Sequence, residues 1–277
     1  MVAKNFIYDG ISLDELGLMI CSFEGSQDGE VTAGNSIEFT YSKASNSVKW
    51  KKVSATYNEQ LSFTLQIGKD PCVFDEPPFS EEEIAWIQRW LNRKDDKWLQ
   101  LIQEGYEDIF FNCHIAIENY EKGGECFGFT LTVTCDAPFG WSELQTLDIS
   151  SDGSYTTKYY DPSDDIGEIC PTIQITSKAN QDITLTNNLT NKTTVIKNCL
   201  ADEHIVLSSE MWATSSECVP VTEGTGYNGS HSTFFDDFNY EWFTIGNTFS
   251  DRVNEITITG NCDVHISWRY PRRAVLV

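Results

Sequence analysis

The sequence predicts a mainly β protein of two domains, an N-terminal β-sandwich or barrel carrying one helix and a C-terminal β-sandwich. Three observations point there. Two-residue alternation of apolar and polar side chains, the mark of a half-buried strand, recurs along most of the chain. One segment alone reads as a good helix. The 277 residues suffice for two cores, and the alternation breaks once, near the middle.

In chain order, Ile37, Phe39 and Tyr41 share one strand face, and Leu61, Phe63, Leu65 and Ile67 form the next series. Phe111, Cys113, Ile115 and Ile117 alternate next, followed by Phe127, Phe129, Leu131, Val133 and Cys135 interleaved with threonines suited to a pleated surface. Lys122-Gly123-Gly124-Glu125 separates these last two runs, a hairpin signal. The helix begins at Ser80, whose partner Glu83 makes a capping box, with Glu81 and Glu82 near the positive helix end. Ile84, Ile87 and Leu91 recur at helical spacing beside Trp86 and Trp90, a stripe expected to cover one end of the β core, and the helix should end near Asn92.

At Asp136-Ala137-Pro138-Phe139-Gly140-Trp141 the alternation stops, because proline lacks a ladder donor and glycine relaxes the backbone. Pro138, Gly140 and Trp141 are read as the interdomain linker, dividing the chain into residues 1–141 and 142–277. A polar, loop-like stretch rich in tyrosine follows around Tyr155, Tyr159 and Tyr160. From Pro171 on, Ile173 and Ile175, Ile183 and Leu185, and His204 to Leu207 mark short strands. Ile256 and Ile258, then Val264, Ile266 and Trp268, close the chain. Short strands without helical patterns between them suggest a sandwich of antiparallel strands. Ala213 to Thr233 is the longest candidate loop.

The formal net charge of −23, from 42 acidic and 19 basic residues, argues against binding phosphate backbones or anionic membranes. Nine cysteines, scattered and with no Cys-x-x-Cys pair, make neither a zinc site nor a disulfide framework. Cys113 and Cys135 sit in phase with apolar neighbours and read as reduced core residues of a protein made in a reducing cytoplasm. The opening residues lack a signal-peptide core, and no apolar run approaches the roughly 20 residues of a membrane span. The sequons at Asn188, Asn191 and Asn228 serve only as hints of surface loops.

Chemistry leaves no signature. His114, His204, His231 and His265 are isolated in sequence and read as structural. No nucleophile elbow, phosphate loop or dinucleotide fingerprint occurs. Asp164-Asp165 and Asp236-Asp237 are the sort of pair a glycosidase uses, but that chemistry depends on a spatial separation that sequence does not give. No catalytic residue, metal ligand or cofactor is therefore expected. The candidate contacts to partners or saccharide are aromatic: Tyr159, Tyr160, Trp212, Tyr227 and Trp242, with Tyr240 beside them, in or near polar sequence.

Taken in order, Phe6-Ile7-Tyr8-Asp9-Gly10-Ile11-Ser12, Glu15-Leu16-Gly17-Leu18, Gly34-Asn35, the tryptophan-bearing stretch Ser80 to Trp90, Cys135-Asp136-Ala137-Pro138-Phe139 and Trp268-Arg269-Tyr270 resemble the distal tail proteins of long-tailed, non-contractile phages of Gram-positive hosts. The resemblance covers essentially the whole chain. It implies a tail-tube-like N-terminal domain closing into a homo-hexameric ring and a galectin-like C-terminal sandwich outside it. The ring would join the tail tube to the tail-tip or baseplate proteins, with a bore through which DNA passes without specific binding. Receptor-binding proteins or cell-wall saccharide are the further partners it implies, in a virion component assembled in the host cytoplasm. A carbohydrate-binding adhesion protein is the alternative.

Overall fold

The computed structural model describes residues 5–23, 37–57, 59–73, 78–218 and 231–273. It forms two compact units, residues 1–142 with the chain end from Arg272, and residues 143–271. Both are built mainly of antiparallel strands.

The first unit contains β1 (Asn5–Tyr8), β2 (Ile11–Ser12), β3 (Leu18–Ile20), β4 (Ile37–Ser42), β5 (Lys51–Tyr57), β6 (Ser62–Lys69), α1 (Glu81–Leu91), β7 (Lys97–Ile102), β8 (Phe110–Lys122), β9 (Glu125–Cys135) and β10 (Gly140–Trp141). Its main sheet runs β2-β1-β7-β8-β9-β6-β3, and β10 pairs with β8 at its margin. Phe6, Tyr8, Phe63, Ile67, Phe111 and Phe129 lie in the core, each fully buried side chain of this size contributing about 1.5–3 kcal/mol. Helix α1 packs Ile87, Trp90 and Leu91 into that core, and the buried Trp90 indole donates to the Tyr8 carbonyl at 3.2 Å. The capping box is present in full, with the Glu83 amide on Ser80 Oγ and the Ser80 amide on Glu83 Oε2, and Asn92 is the C-cap.

At the β8–β9 turn Gly123 and Gly124 both have positive φ, 66° and 89°, as a two-residue turn matching strand twist requires. Three residues beyond, the alternation departs from expectation. The pairing shifts between Tyr120↔Gly128 and Glu121↔Cys126, so Phe127 is the extra residue of a bulge. Cys126 rather than Phe127 is buried. Sequence alternation carries no mark of an unpaired residue.

The second unit contains β11 (Gln145–Tyr160), β12 (Gly167–Ile169), β13 (Thr172–Ser177), β14 (Gln181–Asn187), β15 (Lys192–Cys199), β16 (Glu203–Ser208), β17 (Ala213–Cys218), the single turn α2 (Phe234–Asp237), β18 (Ile245–Asn247) and β19 (Val253–Trp268), before the short β20 (Pro271–Arg272) that pairs with β10. The tyrosine-rich stretch is therefore a strand and not a loop. All 16 residues of β11 pair with β19, from Gln145↔Trp268 to Tyr160↔Val253. Polar residues hide it from a hydrophobicity reading, because only Ile149 and Ser151 are buried along its length. The two closing series are likewise one continuous strand. On its other edge β19 pairs first with β14, through Ile256–Thr259, and then with β13, through Cys262–Ser267. Gly260 stands at the change of partner with φ of 124°, where a Cβ would meet the Asp182 carbonyl at 3.1 Å.

Of the expected linker, Gly140–Trp141 is strand β10 and Pro138 lies in the bend before it. Trp141 pairs with Phe110, its indole donating to Asp136 at 3.1 Å, while Gly140 is buried against Ile109 and Pro138 is half-buried. Nor does the second unit run to the chain end. Arg272 forms an ion pair with Asp108 at 2.6 Å, and Arg273 donates to the Tyr57 hydroxyl at 2.7 Å, so these basic residues belong with the first unit. Of the candidate loop 213–233, Ala213–Cys218 is strand β17; residues 219–230, with Tyr227 and Asn228, lie outside the described residues, as does the Gly34-Asn35 pair.

Candidate interaction surfaces

The aromatic candidates are divided between core and surface. Tyr159 and Tyr160 are neighbours on a strand and so point to opposite faces. Tyr159 turns inward, its ring meeting Trp268 edge-on at 4.9 Å, and burial pushes its hydroxyl pKa up. Tyr160 is 61% exposed and stands opposite Val253. Trp242 packs edge-on against the buried Phe238 at 5.2 Å. Trp212, at the tip of the β16–β17 hairpin, is 76% exposed with φ of 50°, a left-handed backbone unusual for a bulky residue. Tyr240 also has positive φ, and is exposed. Tyr160 and Trp212 thus remain as surface aromatics while Tyr159 and Trp242 serve the core, and the set does not form a single platform.

Sequence reasoning missed a buried polar network in this unit. Glu203 opens β16 with its carboxylate fully buried, and accepts from the Leu200 amide at 2.7 Å, Ser216 Oγ at 2.5 Å and His231 Nδ1 at 2.8 Å. The other ring nitrogen of His231 lies 3.2 Å from Asp237 Oδ2. Asp237 is also bonded by Thr233 Oγ1 and Asn198 Nδ2, and these hydrogen bonds, with that of His231, lower its pKa. An imidazole with a carboxylate at each nitrogen can donate to both only as imidazolium. The serine hydroxyl bonds the carboxylate and not the ring, so the arrangement orients His231 and activates no nucleophile. It ties α2 to the sheet. Its two halves, around Glu203 and around His231, lie 28 residues apart and match no motif.

A second knot surrounds Asp161, which accepts from Asn247 Nδ2 at 2.5 Å and from the Ser163 amide, while Arg252 donates to the Asp161 and Ser163 carbonyls. Desolvation raises the Asp161 pKa. Among the described residues no three His, Cys, Asp or Glu side chains are arranged to hold a metal, and no helix is long and apolar enough to cross a membrane.

In the first unit two apolar features reach the surface. Leu16, Leu18, Phe79, Trp86 and Ile87 line a groove of about 290 Å³ rimmed by the Lys69–Glu83 ion pair. Trp86, on the helix stripe expected to cover the core, is 40% exposed there. The other feature is the hairpin of β4 and β5, a two-stranded sheet apart from the main one. Ile37, Phe39 and Tyr41 do share a face, as their spacing suggests, yet all are between 41% and 53% exposed.

Residues 1–137 match the family model of a phage tail protein N-terminal domain, and residues 139–268 that of a phage tail C-terminal domain. The chain belongs to the phage tail proteins. Among solved structures, this tail protein is similar to SPP1 Dit (gp 19.1), described as a paradigm of hub adsorption apparatus in Gram-positive infecting phages. That likeness has a TM-score of 0.59 at 12% identity over 96% of this chain and 98% of that one, and is a likeness of fold. A Bacillus thuringiensis Cry1Da tryptic core variant overlaps with a TM-score of only 0.24 at 8% identity, over 98% of this chain and 51% of that one, and carries no weight. No curated protein matches the chain.

Proposed function

We propose that this tail protein is a distal tail hub, a non-catalytic structural component of the virion. In this reading six copies close into a ring that joins the tail tube to the tail-tip or baseplate proteins and the host-adsorption apparatus. The first unit, tail-tube-like, forms the ring, and the second, galectin-like, attaches partners outside it. Assembly takes place in the host cytoplasm, and DNA passes through the bore unbound.

The observation that carries this reading is the fold shared with SPP1 Dit across nearly the whole of both chains, in a protein whose two halves both match tail domains. The charge of −23 supports it, since a wall of like charge keeps DNA from adhering. Light scattering of the full chain, alone and mixed with tail-tube protein, tests it. The expected mass is about six times the 31.4 kDa monomer. A monomer under both conditions would overturn the reading.

A saccharide-binding role for the second unit has one observation in its favour, the exposed Trp212 held in a left-handed turn. Strained conformations of this kind concentrate at functional sites. Glycan-array binding by the full chain, lost in Trp212→Ala, would establish it. No binding by the wild-type chain would leave the unit a scaffold.

A further inference from the structure

Hairpin β4–β5 is unlike the rest of the protein in three respects. Residues 37–57 contain four lysines, Lys43, Lys49, Lys51 and Lys52, against the single acid Glu38. The remainder of the chain has 15 basic against 41 acidic residues, so the hairpin is a cationic island on a strongly anionic molecule. Second, its large apolar groups face solvent: Trp50 is 66%, Val53 63% and Val48 92% exposed. The Lys43 and Lys52 ammonium groups sit over the Trp50 and Phe39 rings at 5.6 and 5.5 Å, leaving charge and aromatic surface presented together. Third, among the described residues β4 and β5 pair only with each other, in strands of six and seven residues, whereas the main sheet ends in strands of two and three residues.

An isolated two-stranded hairpin is marginal in water. This one is anchored at its base, where Tyr57 meets Phe139 edge-on at 6.0 Å and takes the Arg273 hydrogen bond. An exposed strand edge is a template for pairing, and Lys51 and Lys52 on β5, with Lys43 and Lys49 between the strands, favour an acidic partner over a basic one.

We propose that this hairpin is an assembly arm that grips the acidic surface of a second copy of the same chain. The contact is heterologous, a cationic arm on one copy against an anionic face on the next, and such contacts generate rings when the rotation closes. The proposal rests on the hub reading and adds to it the element and the charge pairing that hold neighbours together.

The test is sedimentation of the full chain at low and high salt, wild type beside two variants, the fourfold Lys→Glu change at positions 43, 49, 51 and 52 and the double variant Phe39→Ser/Trp50→Ser. Wild-type assembly should weaken as salt rises. Both variants, folded by circular dichroism, should lose self-association by about tenfold or more. Hydrogen exchange on the wild-type chain provides a readout independent of variant folding, with residues 37–57 expected to gain protection on assembly. Variants that assemble like wild type, or no gain in protection, would overturn the arm while leaving the hub reading intact. A wild-type chain that stays monomeric with tail-tube protein present would overturn both. Binding of a duplex oligonucleotide that the lysine changes abolish, with self-association untouched, would assign the hairpin to DNA instead.

Discussion

His231 Nδ1 lies 2.8 Å from Glu203 Oε1 in a site where both side chains are closed to solvent, 2% and 0% exposed. A charge buried this completely depends on its partners. Removing the imidazole with His231→Ala leaves the buried Glu203 carboxylate with only the Leu200 amide and the Ser216 hydroxyl, and a loss of about 3 kcal/mol is expected. Urea unfolding followed by tryptophan fluorescence measures it. Glu203→Gln, which retains an acceptor without the charge, should cost less. Equal losses would show that charge is irrelevant to the network.

The α1 cap can be tested alone. Ser80→Ala removes the hydroxyl that accepts from the Glu83 amide and should cost about 1 kcal/mol in chemical denaturation. Although partial burial opposes ionisation of Glu83, hydrogen bonds from the Ser80 amide and Lys69 outweigh it and hold its pKa below the usual 4.5. A carboxylate with a lowered folded-state pKa adds stability that is complete above the unfolded value and lost as pH falls through the folded one. Thermal scans from pH 6 downward should therefore show Glu83→Gln closing its gap to wild type only in acid.

Gly128 is enclosed. A Cβ there would meet Phe23 Cζ at 2.0 Å and the Ile67 carbonyl at 2.5 Å, and Phe23 is itself stacked on Tyr120 at 4.1 Å. The ring has little room to yield and the carbonyl belongs to the neighbouring strand, so Gly128→Ala should destabilise the first unit by about 1–3 kcal/mol. An unchanged melting temperature would contradict this packing.

Thiol reactivity should divide by burial. Cys113 and Cys135 face each other in register across β8 and β9 without a bond between them, and burial pushes both thiols far up. Cys199 is pushed up to about 12 and Cys262 to about 11 by the same cause. Exposed Cys72 and Cys170 should be alkylated before these buried thiols in the native protein at neutral pH. Peptide mapping after brief iodoacetamide treatment checks this, and early modification of Cys113 or Cys135 would contradict it.

What could be read from sequence was local. The Ser80–Glu83 cap, the Gly123-Gly124 turn and the buried faces of β6 and β8 each depend on residues a few positions apart, and each stands where its pattern put it. What could not be read depends on distance. Strand β11 pairs residues more than 90 positions apart and is mostly polar, so no periodicity marked it. Glu203 and His231 meet across 28 residues. In β4 the alternation of Ile37, Phe39 and Tyr41 gave the right strand but not its exposure, because an apolar face looks the same in sequence whether its own core or another molecule covers it. For the same reason Tyr159 and Trp242 looked like Tyr160 and Trp212 until the fold separated them.

The claim that this tail protein is a ring-forming hub is tested most directly by negative-stain imaging of the purified full chain mixed with tail-tube protein. Rings of six-fold symmetry around a central hole are the expected result. A field of single 31.4 kDa particles, or open filaments in place of closed rings, would contradict it.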